Sequence, residues 1–285
     1  MAQYLLCLKY LNIKHYMNTK RVFFSVLFVS YLFLSIAASA QDSLKKSLEK
    51  DIQNPIAKLV TLPFQNNADF GYGSYGRLRN TLNIMPVLPF SLGKSVSLIT
   101  RTIIPVITQP VGESDTKTGL GDITLSTYFS PSKPGKLIWG VGPVFGLPTA
   151  TDDILGSKKW SAGPAIIMLV QPEGWTLGLI AQNTWSFAGD TARTDVNFFY
   201  SQVFIVKNLP DGWYINSAPI ITANWKAASG NQWTVPVGLG AGKLQFFGKL
   251  PVNFQAGYYY YVVKPEGGPM WQLRGMVIFV LPKFY

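Results

Sequence analysis

Four charged residues stand inside segments that are otherwise nearly free of charge: Arg79, Arg101, Asp122 and Arg274. A charge within an apolar segment of membrane-spanning length is costly unless it meets water or a partner, so these residues indicate a solvated or ion-paired interior. One interpretation is a pore lining that favours anionic or neutral polar solutes. The other is a salt-bridge network around Asp122 that fills a narrow barrel, and the sequence leaves both open.

Imidazole and thiol chemistry is confined to the first 40 residues, where His15 and Cys7 are the only histidine and cysteine of the chain. Without them the rest cannot form a Ser-His-Asp or Cys-His centre, a His or Cys zinc site, or a disulfide. The glycine-rich run 238–243 ends in lysine but lacks the spacing of a phosphate-binding loop. We therefore expect a protein that is not an enzyme and carries no cofactor or metal.

The composition favours an all-β protein. Charged residues are 14% of the 285 residues, against about 25% in an ordinary soluble domain. The chain holds 26 Gly, 19 Pro and 14 Tyr, and no stretch after residue 40 approaches the ~18 consecutive apolar residues of a spanning helix. Residues 41–285 keep 21 Lys and Arg against 14 Asp and Glu, but these are too scattered for a nucleic-acid-binding surface.

A repeated unit of about 9 to 13 charge-poor residues ended by turn residues matches the ~9 to 11 residues of a tilted transmembrane strand. The sequence predicts twelve strands, at 57–69, 78–90, 96–109, 119–130, 136–148, 159–170, 175–187, 195–207, 213–226, 232–246, 250–263 and 270–282. Tight turns are predicted at 130–135, 171–174, 209–212 and 247–249, and longer links at 66–77, 110–118, 149–158, 188–194, 227–231 and 264–269. This alternation is typical of an antiparallel up-and-down transmembrane β-barrel whose short turns face the periplasm.

The segment 175–187 alternates an apolar face with a polar one. Trp175 and Trp185 share the apolar face ten residues apart, which at ~3.3 Å per residue and ~40° tilt is about the ~25 Å between two aromatic girdles. A soluble sandwich also alternates, but its outer face usually carries charges, whereas 160–172, 174–189, 212–225 and 227–242 carry none.

The same parity predicts which side chains line the lumen, although it leaves the inward faces of 96–109 and 195–207 unassigned. The candidate lining residues are Arg79, Asn83, Arg101, Asp122, Gln182, Asn253, Gln255, Gln272 and Arg274. Thr81, Thr124 and Ser126 share the predicted inward face.

The N-terminal residues have the order of an export signal, with a basic start, an apolar run from Val22 to Ile36 and a small-residue cleavage site before Gln41. We expect a cleaved signal peptide at 1–40, with Met17 as an alternative start. A short periplasmic segment at 41–56, helical at first, then precedes a barrel at 57–285. That segment either closes the periplasmic mouth or is mobile.

Several short motifs are specific in combination, at 53–57, 62–67, 81–84 with Pro86, 101–106, 119–122, 263–268 and 271–274. In these motifs the chain resembles the outer-membrane β-barrel family named for the MetA protein of phenol meta-cleavage, some of whose members carry the borrowed name neuromedin U. The resemblance implies an outer-membrane transporter of small and in some cases aromatic solutes, and it brings no catalytic residues. We expect a monomeric, porin-like passive channel in the outer membrane of a Gram-negative-type bacterium, surrounded by outer-membrane lipids. Its solutes would be small polar, anionic or aromatic molecules, and the alternative is a non-conducting barrel with a structural or surface-binding role.

Overall fold

The computed structural model describes residues 47–281. The predicted signal peptide, the beginning of the segment 41–56 and the last four residues lie outside the described residues. From Glu49 onward the chain forms one compact unit. Within the described residues, no helix is long and apolar enough to cross a membrane.

Fifteen strand segments make up the described sheet, and every pairing between them is antiparallel. They are β1 (Val60–Tyr72), β2 (Arg77–Ile84), β3 (Val87–Leu92), β4 (Val96–Val111), β5 (Asp115–Leu120), β6 (Ile123–Pro131), β7 (Leu137–Leu147), β8 (Lys159–Val170), β9 (Trp175–Gly189), β10 (Asn197–Asn208), β11 (Trp213–Ser217), β12 (Ile220–Asn224), β13 (Trp233–Phe247), β14 (Leu250–Val263) and β15 (Trp271–Leu281). A 3₁₀ turn, Pro210–Gly212, precedes β11.

Three pairs of segments, β2 with β3, β5 with β6 and β11 with β12, are halves of single barrel strands. Pro86 and Pro219 interrupt two of them, because proline has no N–H to donate to the ladder. The wall stays continuous at the first break, where Met85 N–H donates to Pro63 O over 2.9 Å. Twelve barrel strands result, and β15 pairs with β1 from Val60↔Leu281 to Phe70↔Trp271, which closes the sheet. The predicted twelve-stranded antiparallel barrel is confirmed.

The barrel has two distinct ends. Val60 and Leu281 both lie at one end, which we call the turn end. The short turns after β3, β6, β8, β10 and β13 lie at the same end. The other end, the loop end, carries the links 148–158, 190–196 and 225–232 among others. An even number of strands brings both barrel termini to the same end.

Two of the predicted long links are wrong. The chain turns within 73–76 and 112–114, whereas we expected links at 66–77 and 110–118. Glycine makes such short reversals, and Gly73 and Gly112 have φ of 74° and 59°. The polar run that suggested a loop belongs to β1, where Asn66 exchanges two amide hydrogen bonds with Asn80 across the strand pair, at 2.9 and 3.0 Å.

The inward face is apolar towards the turn end. There the apolar cluster consists of Ile56, Val87, Ile99, Tyr128, Val144, Ala165, Ile167, Leu169, Ile180, Phe204 and Ala218. Burying its branched side chains stabilises the wall by roughly 1.5–3 kcal/mol per side chain. The outer face is apolar as well, with Leu239 72% and Phe187 67% exposed.

Candidate functional site: two cavities in the barrel interior

Two cavities lie inside the barrel, one towards each end. The loop-end cavity measures about 650 Å³ and is lined largely by polar side chains, including Asp122, Lys159 and Gln182. The turn-end cavity measures about 170 Å³ and is lined by the segment 51–59 and by side chains of both polar and apolar type. The two cavities divide the barrel interior into compartments of different chemistry.

Successive inward residues of the same strand line different cavities. Arg101 lines the turn-end cavity, and Ile103, the next inward residue of β4, lines the loop-end cavity. In the same way, Gln202 and Tyr200 of β10 line the turn-end and loop-end cavities respectively. We call the level of Arg101, Gln202 and Tyr200 the boundary layer, since a solute that moves along the barrel must pass it.

Arg101 reaches the boundary layer without an acidic partner. Its Nη2 lies 3.6 Å from Met85 Sδ, a weak acceptor. Register places Arg101 opposite Ser126 of β6, whose hydroxyl donates to Gln182 Oε1 over 3.1 Å. In the part of the chain that the structure describes, the three ion pairs join lysines to Asp152, Asp153 and Asp195, so none involves Arg101. A guanidinium in this position attracts anions.

Arg274 belongs to a separate hydrogen-bonded network. Its Nη1 donates to Ala218 O over 2.8 Å and therefore connects β15 to the break between β11 and β12, across the interior. Its Nε and Nη2 donate to Gln272 Oε1, at 3.1 and 2.9 Å, and its guanidinium lies 4.2 Å from the centre of the Tyr259 ring. These contacts of Arg274 are all with neutral groups, and they brace the interior.

Asp69 is the acidic centre of this network. It accepts hydrogen bonds from Tyr261 Oη at 2.9 Å and from Gln272 Nε2 at 2.8 Å. Register places Arg79 directly opposite Asp69, although the guanidinium packs over Tyr72 at 5.2 Å and its buried Nε has no hydrogen-bond partner. Asp69 was not among the predicted lining residues, because the predicted first strand ends there and a predicted link overlaps it. It nevertheless alternates in step with Gln65 and Asn67 and so shares their face of the strand.

The remaining candidate residues also have inward positions. Asn83 pairs with Gln65 in the register of β1 and β2. Asn253 Nδ2 donates to Tyr214 Oη over 2.8 Å, and that hydroxyl lies 3.4 Å from Gln255 Oε1. Arg101, Asn253 and Gln255 line the turn-end cavity, and Asp122 and Gln182 line the loop-end cavity. Arg79, Asn83, Gln272 and Arg274 are not among the lining residues of either cavity.

Asp122 anchors a loop, and the proposed salt-bridge network around it is wrong. Its carboxylate accepts hydrogen bonds from Ser157 N at 2.6 Å, Ser157 Oγ at 2.7 Å and Ala150 N at 3.2 Å. The ion pairs of the described residues do not include it. Because all three donors belong to the link 148–158, Asp122 holds that link against the loop-end cavity.

The link 190–196 is tied to the same region. Lys159 Nζ lies 3.1 Å from Asp195 Oδ1, and Arg193 Nη2 donates to Asp153 O and Gly156 O at 2.8 and 2.7 Å. The hydrogen bond from Lys159 lowers the pKa of Asp195. A lowered pKa means that this contact is fully present above the usual carboxyl pKa of 3.8 and is lost as the pH falls through the lower folded-state value. Asp195 and Arg193 were not predicted to have a role, because both lie in a link between strands.

Replacing Asp122 by alanine is expected to release the link 148–158. Hydrogen bonds to a charged group contribute about 1.5–3 kcal/mol each, and Asp122 accepts three of them. Hydrogen–deuterium exchange should show faster exchange of the amides in 148–158, with the strands unchanged. Asp153→Ala is the control, because its side chain is 65% exposed and pairs only at the surface with Lys158. Equal exchange in the Asp122 variant and the parent would contradict this role.

The segment 49–59 enters the turn end of the barrel. Ile56 is 4% exposed and belongs to the apolar cluster. Gln53 accepts a hydrogen bond from Thr176 Oγ1 at 2.9 Å and donates to Asn208 Oδ1, while Gln171 Nε2 donates to Lys50 O at 2.8 Å. Burial raises the pKa of Asp51. These contacts place residues 51–59 against the turn-end cavity.

Comparison with solved structures finds one outer-membrane channel of similar fold. An outer-membrane channel from Pseudomonas putida F1 superposes with a TM-score of 0.59 at 16% identity, over 78% of this chain and 94% of that one. A bacterial polysaccharide outer-membrane secretin matches with a TM-score of 0.35 at 10% identity, over 79% and 99% of the two chains. A Pseudomonas aeruginosa FadL homologue matches with 0.36 at 10% identity, over 79% and 91%. No protein-family model and no curated protein matches the chain.

At 16% identity, the likeness to the Pseudomonas putida channel concerns the fold alone. The class that the fold and the interior define is a closed twelve-stranded antiparallel β-barrel with an apolar outer face and a divided, partly polar interior.

Proposed function

We propose that this protein is a monomeric outer-membrane channel for the passive passage of small solutes, with a preference for anions. The observation that carries the proposal is the boundary layer, where Arg101 faces the interior between two cavities without a carboxylate partner. A fixed positive charge at a narrow point attracts anions and repels cations. In the described residues, no carboxylate within ion-pair distance cancels its charge.

The outer face supports a membrane location. Trp175 and Trp213 lie near the turn end, with Lys207 and Lys243 over their rings at 4.7 and 4.8 Å. Towards the loop end Trp225 packs edge-on against Trp233 at 5.2 Å. Two aromatic bands that flank exposed aliphatic side chains match the two interfaces and the hydrocarbon core of a bilayer. We place the protein in the outer membrane of a Gram-negative-type bacterium, after export by the N-terminal signal, with the turn end in the periplasm.

A non-conducting barrel is the second candidate. The apolar cluster and the bond from Arg274 to Ala218 O fill part of the interior, and residues 49–59 occupy the turn end. Such a barrel would have a structural or surface-binding role. The resemblance to the MetA-like family favours transport, and we extend its implied small-solute role to this chain as part of the proposal.

Planar-bilayer recording of the purified full chain tests the proposal. We expect discrete conductance steps and, in a KCl gradient, a reversal potential on the anion-selective side. Insertion is checked independently by protease protection of liposomes that contain the folded protein. Inserted protein without steps would contradict the channel and favour the second candidate, and cation selectivity would contradict the role of Arg101.

A further inference from the structure

The turn-end cavity combines one cationic group and one carboxyl group, Asp51, with apolar walls. Arg101 supplies the cation, and Ile180, Phe204 and Ile278 supply apolar surface. A guanidinium binds a carboxylate through two parallel hydrogen bonds, which makes a carboxylate the natural partner for an arginine without an acid. Apolar walls favour a ligand whose remaining surface is hydrocarbon.

Two buried asparagines supply hydrogen-bond acceptors. Asn216 is 5% exposed and Asn253 is 3% exposed, and both line the turn-end cavity. The side-chain oxygen of each is buried and has no hydrogen-bond partner. A buried acceptor without a donor is unfavourable, so a donor in the cavity would be bound favourably.

The acceptors and the arginine are on different walls. Arg101 belongs to β4, Asn216 to β11 and Asn253 to β14. Between β4 and β14 the barrel wall contains β15, β1 and the strand made of β2 and β3. A ligand that meets both kinds of group therefore extends across the interior, with an acceptor at one end and a donor at the other.

The volume limits the size of the ligand. The turn-end cavity measures about 170 Å³. An engineered apolar cavity of about 150 Å³ in another protein binds benzene, a six-carbon molecule. The cavity therefore suits a body of about six carbons.

We propose that the turn-end cavity is a binding site for a small hydroxylated organic acid with an apolar body of about six carbons. Its carboxylate binds Arg101, and its hydroxyl donates to Asn216 or Asn253. The proposal rests on the proposed channel function and deepens it, because it names the chemical class of solute that the channel holds next to the boundary layer. The polar loop-end cavity is the path by which the acid reaches Arg101.

Three probes of equal carbon number separate the two recognition elements. These are 6-hydroxyhexanoate, hexanoate, which lacks the donor, and 1,6-hexanediol, which lacks the carboxylate. A flexible chain adapts to the separation between the arginine and the asparagines. Isothermal titration calorimetry of the full chain in detergent should give an affinity for 6-hydroxyhexanoate about tenfold above that for either other probe, a difference of ~1.4 kcal/mol.

Two variants assign the effect to the named residues. Arg101→Gln should remove the preference for 6-hydroxyhexanoate over 1,6-hexanediol. Asn216→Leu should reduce the preference for 6-hydroxyhexanoate over hexanoate while hexanoate still binds, and Asn253→Leu tests the other acceptor. Lys243→Gln removes a positive charge from over the outer-face residue Trp213 and serves as the control. Circular dichroism and heat-dependent migration in SDS gels verify that each variant is folded.

Equal affinities for the three probes, or an unchanged preference in both the Arg101 and the double Asn216→Leu/Asn253→Leu variants, would overturn the site. The binding result is independent of conduction. Selective binding in a protein without conductance steps contradicts the channel and supports the binding site. Anion conductance without selective binding supports the channel and contradicts the binding site.

Discussion

Replacing Ile56 by aspartate is expected to raise the single-channel conductance several-fold. Ile56 holds the segment 49–59 in the turn end through the apolar cluster. Loss of a buried isoleucine side chain costs about 2–5 kcal/mol even when alanine replaces it, and a buried charge adds a desolvation cost. Since each ~1.4 kcal/mol is tenfold in population, the segment should leave the mouth. Planar-bilayer recording measures the change.

The matched control places the same residue two positions away. Lys58 is exposed, so Lys58→Asp introduces an aspartate in the same segment without disturbing the apolar cluster. Its conductance should stay close to that of the parent. Ile56 is not part of the barrel wall, which begins at Val60, so the barrel itself should form in both variants. If Ile56→Asp and Lys58→Asp conduct alike, the segment does not limit the pore.

The second large effect concerns ion selectivity. Arg101→Glu should turn the reversal potential in a KCl gradient from the anion-selective to the cation-selective side, and Arg101→Gln should bring it near zero. At an effective dielectric constant of ~20, a unit charge acts on an ion ~8 Å away with about 2 kcal/mol. Reversing the charge at the boundary layer should therefore change the ratio of anion to cation permeability by well over tenfold.

Lys243→Glu makes the same change of charge on a residue that packs over Trp213 of the outer face. That variant should keep the selectivity of the parent, because bulk water and the wall separate it from the solute path. An Arg101→Glu protein that conducts with an unaltered reversal potential would show that the arginine does not face the path of the ions. Recording at several salt concentrations adds a check, since screening weakens the effect of a charge in contact with water.

The approximate bounds of the strands could be predicted from the sequence, whereas the inward faces of two strands, β4 and β10, could not. The predicted segment 159–170 coincides with β8, and 250–263 coincides with β14. In β4 the inward residues include Ile99 and Ile107 beside Arg101, and in β10 they include Phe204 and Val206. Towards the turn end the interior is as apolar as the lipid-facing side, so alternation disappears there and parity cannot identify the inward face.

The roles of individual inward residues also could not be predicted from the sequence. Asp122 has the inward parity that we predicted, but its partners are the backbone N–H of Ala150 and the N–H and hydroxyl of Ser157, which lie 28 and 35 residues away. The acidic centre of the interior network is Asp69, which bonds Tyr261 and Gln272 across the closing strand pair. Which polar groups meet depends on how the sheet closes, and no local spacing encodes it.

The amino-acid sequence by itself determined the number of strands, their approximate bounds, the apolar outer face and the absence of histidine and cysteine after residue 40. These properties are local, because strand periodicity and turn chemistry act over a few residues. Only the tertiary structure decided the shapes of the two cavities, the position of Arg101 in the turn-end cavity without a carboxylate partner, and the packing of Ile56 in the apolar cluster. Each of these depends on side chains far apart in the chain that meet only after β15 pairs with β1.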